Sequence, residues 1–163
     1  MTGITPPTEL PVATGSSGCP VSPQTGALHS NTLVGFETSS DGLSDVITFS
    51  LGEPASNPAG GGTGSLAAAE PPFTAGGSGA EVAVLGARHV ELKLTGMAIT
   101  DDDGNPTYVG GTSVKPNMLA LKQVEELEAF EGVYSFAIGY NGNGCVGLAS
   151  DPATKTLTLT LGH

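Results

Sequence analysis

The chain is poor in positive charge, with 5 Lys and Arg residues against 16 Asp and Glu residues and a formal net charge of −11. This balance repels a phosphate backbone and an anionic membrane surface, because both carry negative charge. We therefore predict that nucleic acid is not a partner. Tryptophan is missing, and no apolar run reaches the roughly 18 residues that a membrane-spanning helix needs. We predict no transmembrane segment, and we expect any export signal to lie outside this sequence, because the first residues lack the basic and apolar regions of a signal peptide.

The residue types that carry catalysis are also scarce. Of the three histidines, His29 lies in a Pro- and Gly-rich stretch and His163 is the last residue, which leaves His89, at the start of a predicted strand, as the one candidate base. The sequence has no nucleophile elbow, no P-loop, no zinc-protease motif and no dinucleotide fingerprint. Its carboxylates fall mostly in turns or on the polar faces of strands, whereas a glycosidase needs two of them across a cleft. We predict that the protein is not an enzyme and uses no cofactor.

The two cysteines, Cys19 and Cys145, lie far apart in the sequence. Their spacing excludes a CxxC redox or zinc motif and permits one long-range disulfide. Two buried free thiols are the alternative, because reduced cysteine behaves as a small apolar residue. Outside the cytosol we expect the disulfide, with a structural role.

What the chain does contain is strand-like alternation of apolar and polar residues. The clearest example is 156–161, in which threonine alternates with leucine, and the same period of two is found in 45–51, 89–95 and 133–140. This period is typical of strands that have one face in the core and one face in water. Such strands are typical of antiparallel sheets. The sequence therefore predicts an all-β fold, a β-sandwich or open barrel of short, mostly antiparallel strands.

Composition divides the chain into a linker and one domain. Residues 1–30 are rich in Pro, Gly, Ser and Thr and are predicted to be a flexible linker, and residues 31–163 are predicted to form the β domain. Within the domain, 52–80 is rich in Gly, Ala and Pro and is predicted to be a disordered loop. The periodicity of 116–130 fits a short amphipathic helix and a strand equally well, so this segment stays open.

Three residues are candidates for ligand binding. Tyr108 lies beside an acidic loop and two glycines, which favours a surface aromatic, whereas Tyr134 and Tyr140 share a strand face with apolar residues and are predicted to be core. Arg88 and His89 have the pattern of an exposed strand edge, where solvated charge is the alternative to ligand contact.

The acidic loop is a weak candidate for calcium. Asp101, Asp103 and Asn105 fall at alternate positions, as oxygen ligands do in calcium loops. However, Pro106 stands where the EF-hand has glycine, and Thr112 stands where it has the bidentate glutamate. A plain surface turn is the alternative.

Several segments of the sequence are similar to a known family. They are Val34–Glu37 with the strand that begins at Asp45, the run from Arg88 to Leu94, the segment from Tyr108 to Gly110, and above all Ala129–Tyr140 with its Phe-Glu-Gly-Val motif. From about residue 32 to 162 the chain resembles the AMIN-like domain of exported actinobacterial (lipo)proteins, a relative of the AMIN domain of cell-wall amidases and secretins. The resemblance implies a two-sheet β fold, an envelope location and no catalytic residues. It also implies that Leu119–Val124 is strand.

The resemblance and the composition together predict the function. We expect a non-catalytic extracytoplasmic module, secreted or membrane-anchored and monomeric, that binds peptidoglycan or another cell-wall glycan. The alternative is a protein–protein regulator or scaffold for a cell-wall hydrolase or another envelope complex. An exposed sheet edge with apolar rims would favour a protein partner, whereas a shallow groove with Tyr108 and acidic groups would favour glycan.

Overall fold

The computed structural model describes residues 19–56, 60–142 and 144–163, and this part of the chain is all β, with no helix. The strands are β1 (Gln24–Ala27), β2 (Leu33–Ser40), β3 (Ser44–Leu51), β4 (Thr63–Ala69), β5 (Phe73–Thr74), β6 (Glu81–Val82), β7 (Arg88–Thr95), β8 (Ser113–Val114), β9 (Leu121–Phe130), β10 (Val133–Tyr140), β11 (Val146–Asp151) and β12 (Thr156–Gly162).

The strands form two main sheets. The larger has six strands in the order β1-β4-β7-β10-β9-β8, and the smaller has four in the order β11-β12-β3-β2. A short ribbon of β5 and β6 is separate, and the strand pairs in all three sheets are antiparallel. The predicted all-β fold of antiparallel strands is confirmed, and because neither main sheet closes on itself, the structure is consistent with the sandwich of the two predicted architectures.

The core lies between the two main sheets, and strand alternation explains how it forms. In β3 and β12 every second side chain is buried. Phe49 of the smaller sheet meets Phe136 of the larger one with their ring centroids 5.3 Å apart. The fully buried apolar side chains come mainly from four strands: Ile47, Phe49, Val90, Leu92, Leu94, Tyr134, Phe136, Ile138, Tyr140, Leu157, Leu159 and Leu161. Burial of this apolar surface is the main favourable term in folding.

The ambiguous segment at 116–130 is a strand over most of its length. β9 runs from Leu121 to Phe130 and pairs with β10 on one side and with β8 on the other. A register shift of β9 against β10 occurs between Ser135 and Phe136. The strand implied by the family resemblance is therefore confirmed for 121–124, and helix is excluded.

The predicted boundaries of the domain and of its disordered loop were wrong. The first 18 residues of the predicted linker lie outside the described residues, but β1 falls inside it and pairs with β4, and Leu28 is buried in the core. The predicted loop at 52–80 contains β4, which lies between β1 and β7. Small residues form this strand because its neighbours supply the apolar contacts. At Gly64 an added Cβ would come within 3.1 Å of Leu28 and 3.4 Å of Leu94.

One side of the sandwich is closed by a disulfide and a side-chain amide. Cys19 is bonded to Cys145, as predicted. Next to this bond Gln24 of β1 reaches across to β11, where its Nε2 donates to the carbonyl of Val146 at 3.3 Å and its Oε1 accepts from the N–H of Leu148 at 3.1 Å. The amide therefore makes the two hydrogen bonds that a neighbouring strand would make, and it joins the edges of the two sheets.

Asp45 is a buried carboxylate that ties the two sheets together. It begins the inward face of β3 and is 1% exposed. Its Oδ2 accepts from the N–H groups of Ala120 at 2.6 Å and Leu121 at 2.9 Å, and its Oδ1 lies 2.8 Å from Nε2 of His163. Burial alone would raise the pKa of Asp45, but the hydrogen bonds from His163 and from the two backbone N–H groups outweigh burial, and the net pKa is lowered.

Candidate ligand-binding groove

The outer face of the six-stranded sheet carries the candidate site. Glu91 of β7 lies between Ala67 of β4 and Ala137 of β10 in the strand register. In the next row Lys93 lies between Ser65 and Ser135. Because residues directly opposite in a sheet project from the same face, the long side chains of Glu91 and Lys93 stand among short ones. The small neighbours leave room above the sheet for a ligand.

The segment from Glu70 to Gly86, which contains β5 and β6, covers part of this face. Phe73 of β5 is 5% exposed, and its ring centroid lies 5.2 Å from that of His89. Nε2 of His89 lies 2.9 Å from the carbonyl of Val84 and donates to it. Gly139 of β10 is required beneath this segment, because a Cβ there would overlap the carbonyl group of Leu85. His89 thus holds the covering segment against the sheet, and the absence of a side chain at Gly139 lets the segment lie close to β10.

A groove of about 450 Å³ lies between this covering segment and the sheet. Three carboxylates line it, Glu70, Glu91 and Glu128, and no Lys or Arg lines it among the residues that the structure describes. The Oγ of Ser135, a residue 2% exposed, donates to Oε2 of Glu91 at 2.5 Å and fixes that carboxylate. The other lining residues are Ala68, Ala69, Pro72, Phe73, Thr74, Gly76 and Leu127. A smaller hollow of about 180 Å³ begins at Glu91 and includes Lys93.

Arg88 and His89 do not lie at an exposed edge, and that prediction was wrong. β7 is an interior strand with β4 on one side and β10 on the other. Arg88 donates from Nη2 to the carbonyl of Cys19 at 2.7 Å and from Nη1 to that of Gly142 at 3.3 Å, and its guanidinium lies 5.2 Å from the ring centroid of Tyr140. The two side chains point to opposite faces, as neighbours on a strand must, and neither lines the groove.

Tyr108 also lies away from the groove. Its ring packs against the core, with centroids 5.8 Å from Tyr134 and 6.1 Å from Phe136, and its hydroxyl donates to the carbonyl of Gly111 at 2.6 Å. Burial, and then the nearby charge of Glu126, raise the pKa of its phenol. Tyr108, predicted to be a surface aromatic, is half-buried, whereas the core positions predicted for Tyr134 and Tyr140 are confirmed, since each is 1% exposed.

Glu126 adds an acidic group at the rim of the core beside Tyr108. It lies opposite Phe136 in the strand register and therefore faces inward. Its Oε2 is buried without a hydrogen-bond partner in the described part of the chain. Burial, and then repulsion by Glu125, raise the pKa of this carboxyl group. The inward position of Glu126 could not be predicted from the sequence, because it depends on a bulge in β9 that changes which side chains of this strand face the core.

The acidic loop forms a hydrogen-bonded surface turn. Oδ1 of Asp101 accepts from the N–H groups of Asp103 and Asn105, both at 2.9 Å. The carboxylate of Asp102 binds the N–H of Ser56 at 3.0 Å and its hydroxyl at 2.9 Å. Within 19–56, 60–142 and 144–163 no cluster of three His, Cys, Asp or Glu side chains could hold a metal ion. Asp101, the first residue of the weak calcium candidate, therefore caps a turn.

The described chain is thus a two-sheet sandwich with an open groove on one sheet. The chain belongs to the AMIN-like domain family, because the family model matches residues 57–147, more than half of the sequence. The match is shorter than the resemblance from 32 to 162, but it contains the Ala129–Tyr140 segment that supported it most strongly. No curated protein and no solved structure matches the chain. Among the described residues no helix is long and apolar enough to cross a membrane.

Proposed function

We propose that this domain is a non-catalytic extracytoplasmic module that binds peptidoglycan or another cell-wall glycan in the groove over the six-stranded sheet. Membership of the AMIN-like family supports the role of an extracytoplasmic module, since this family is consistent with a domain associated with the cell wall. The disulfide supports the same location, because such bonds persist in oxidising compartments. The groove carries the proposal, because it offers both the space and the hydrogen-bonding groups for a ligand.

The chemistry of the groove favours a neutral or cationic ligand that is rich in hydrogen-bond donors. Glu70, Glu91 and Glu128 offer carboxylate oxygens, which accept hydrogen bonds from sugar hydroxyl and amide N–H groups. Because three carboxylates and no Lys or Arg of the described chain line the groove, an anionic group would meet net repulsion there. A volume of about 450 Å³ lies within the usual range for small-ligand sites, about 300–1,000 Å³. One or two sugar residues are a reasonable occupant.

Co-sedimentation with purified, insoluble peptidoglycan tests this proposal. Glu70 is exposed, so the variant Glu70→Lys removes an acceptor and reverses a charge at the groove without disturbing the core. We expect the affinity, taken from the retained fraction at increasing amounts of peptidoglycan, to fall by about tenfold, which corresponds to the loss of one charged hydrogen bond. The matched control is Glu37→Lys on β2, which makes the same change of charge outside the groove.

Two outcomes would contradict glycan binding in the groove. The first is a wild-type protein that stays in the supernatant. The second is equal loss of binding in Glu70→Lys and Glu37→Lys, which would mean that overall charge controls retention. Loss in Glu70→Lys alone supports the proposal.

The alternative role, a regulator or scaffold that binds an envelope protein, has support from a different surface. β2 is the outermost strand of the four-stranded sheet, and over most of its length its far side is not paired with any other part of the described chain. We propose that the domain itself is a monomer, because two copies that each carry a charge of −11 repel one another. Analytical ultracentrifugation measures this directly.

A further inference from the structure

The outer edge of β2 offers a row of free backbone groups. β2 pairs with β3 on one side. On the other side the N–H of Val109 donates to the carbonyl of Val34 at 2.7 Å. Beyond that point, from Phe36 to Ser40, no strand of the described chain pairs with this edge. Alternate N–H and C=O groups along these residues therefore point to solvent, ready to bond with a further strand.

The other edges of the two main sheets are closed or short. β1 and β11 face each other, and Gln24 and the disulfide join them. β8, at the far side of the larger sheet, has two residues. β2 has eight residues, and it contains neither the proline nor the lysine with which natural edge strands usually prevent pairing. Past the register shift between Leu33 and Gly35, the β2 edge is thus a long edge without proline or lysine in the described sandwich.

Side chains at this edge provide apolar contact on one face and negative charge on the other. Phe36 and Thr38 lie on the inward face, opposite Phe49 and Ile47, and are half-buried. The Phe36 ring lies 5.5 Å from that of Phe49. Glu37, opposite Thr48, lies on the outward face and is exposed. The hairpin from 33 to 51 has three carboxylates and no Lys or Arg.

We infer that the β2 edge binds an extended polypeptide segment in which apolar residues alternate with basic ones. The backbone of the segment would continue the four-stranded sheet as a fifth strand. Its apolar side chains would cover Phe36 and Thr38, and its Lys or Arg side chains would lie beside Glu37, since opposite charges on neighbouring strands attract. A second copy of this chain fits less well, because it would bring together two hairpins that each carry three carboxylates and no Lys or Arg. The inference is independent of glycan binding, which concerns the other sheet.

The probe for this site is the synthetic octapeptide acetyl-(Val-Lys)₄-amide, with a fluorescent label. Its control has the same composition, with four valines followed by four lysines, and therefore carries the same charge without the alternation. Binding to the full chain is measured by fluorescence anisotropy. Hydrogen exchange of the backbone amides, followed by NMR, reports where the peptide binds, because only a new strand slows exchange along the outer edge of β2.

We expect the alternating peptide to bind saturably and to slow exchange within 36–40. Glu37→Lys should weaken binding by about three- to tenfold, because a cross-strand attraction becomes a repulsion. Glu70→Lys, which alters the groove, should leave peptide binding unchanged. These two variants therefore separate this inference from the glycan proposal, since each site has its own sensitive variant.

Three results would overturn the inference. Equal binding of the block peptide would show that charge alone attracts the probe. Slowed exchange at the groove in place of β2 would assign the peptide to the other sheet. A dimer of the unliganded protein with residues 36–40 already protected would show that a second copy occupies the edge.

Discussion

Replacement of Asp45 measures how strongly one buried carboxylate holds the two sheets together. In the wild type this carboxylate accepts two hydrogen bonds from the N–H groups of Ala120 and Leu121, which are 1% and 0% exposed. In Asp45→Ala both donors stay buried without a partner. Each such group costs about 1–3 kcal/mol, so we expect the free energy of unfolding to fall by about 4 kcal/mol.

Asp45→Asn should cost less, about 1–2 kcal/mol, because the amide oxygen still accepts from both N–H groups, and only the charge and the hydrogen bond from His163 are lost. The matched control is Asp41→Asn. Asp41 also accepts from two backbone N–H groups, those of Leu43 at 3.0 Å and Ser44 at 2.8 Å, but it lies exposed in a turn. We expect that control to change stability little, because its amide oxygen still accepts from both N–H groups and the charge that is lost is exposed to water.

Urea unfolding followed by circular dichroism, with the disulfide intact, gives these free energies as a function of pH. The folded pKa of Asp45 is lowered, below the unfolded value of about 3.9. Its contribution is therefore fully present above about pH 5 and is lost as the pH falls through the folded pKa. The difference between the wild type and Asp45→Asn should shrink below about pH 4, as Asp45 is protonated. Two results would refute this account. One is a loss of stability in Asp45→Ala that is no larger than the loss in Asp41→Asn. The other is a stability difference between the wild type and Asp45→Asn that does not shrink at the lowest pH at which the protein still folds.

Three further predictions concern other parts of the sandwich. Glu126→Gln should raise the free energy of unfolding at pH 7 by about 1 kcal/mol, since an unpartnered buried carboxylate is removed. The gain should vanish as the pH falls towards the unfolded pKa, because the folded pKa is raised. In the same urea series Glu37→Gln, which neutralises an exposed carboxylate on β2, should show no gain. The disulfide joins cysteines that are 126 residues apart, so its reduction should lower the free energy of unfolding by up to about 5 kcal/mol. Urea unfolding with and without reductant measures this loss. An unchanged free energy of unfolding would mean that the covalent link does not stabilise the fold. Gly139→Ala should lower the melting temperature and speed hydrogen exchange within 81–86, because the added Cβ would overlap Leu85. The control Gly147→Ala has open space around its Cβ, and it should change neither the melting temperature nor the exchange rates.

The sequence was sufficient to predict the strands in which large apolar residues alternate. β3, β7, β10 and β12 all follow that pattern, and their faces turn inward as expected. β4 was missed because it consists of Thr, Gly, Ser, Leu and Ala, which carry little strand signal in isolation. Since β4 is the neighbour that makes β7 an interior strand, the error at β4 also produced the wrong prediction for Arg88 and His89.

The groove and the buried carboxylates were harder to predict, for two different reasons. Glu70, Glu91 and Glu128 come from distant parts of the sequence, and only the pairing of β4, β7, β10 and β9 brings them to one surface. Asp45, in contrast, did leave a signal. It is in phase with Ile47, Phe49 and Leu51, so strand alternation alone places a carboxylate on the apolar face and requires hydrogen-bond donors to meet it there.

The disulfide between Cys19 and Cys145 has a mechanical consequence. All six strands of the larger sheet lie between these cysteines in the sequence, whereas β11 and β12 follow them. Tension applied to the chain at Cys19 and at its last strand passes through the sulfur atoms directly into β11. The larger sheet, together with its groove, is excluded from that load path, so pulling on the protein would strain the β11–β12 hairpin first and leave the ligand surface in its resting shape.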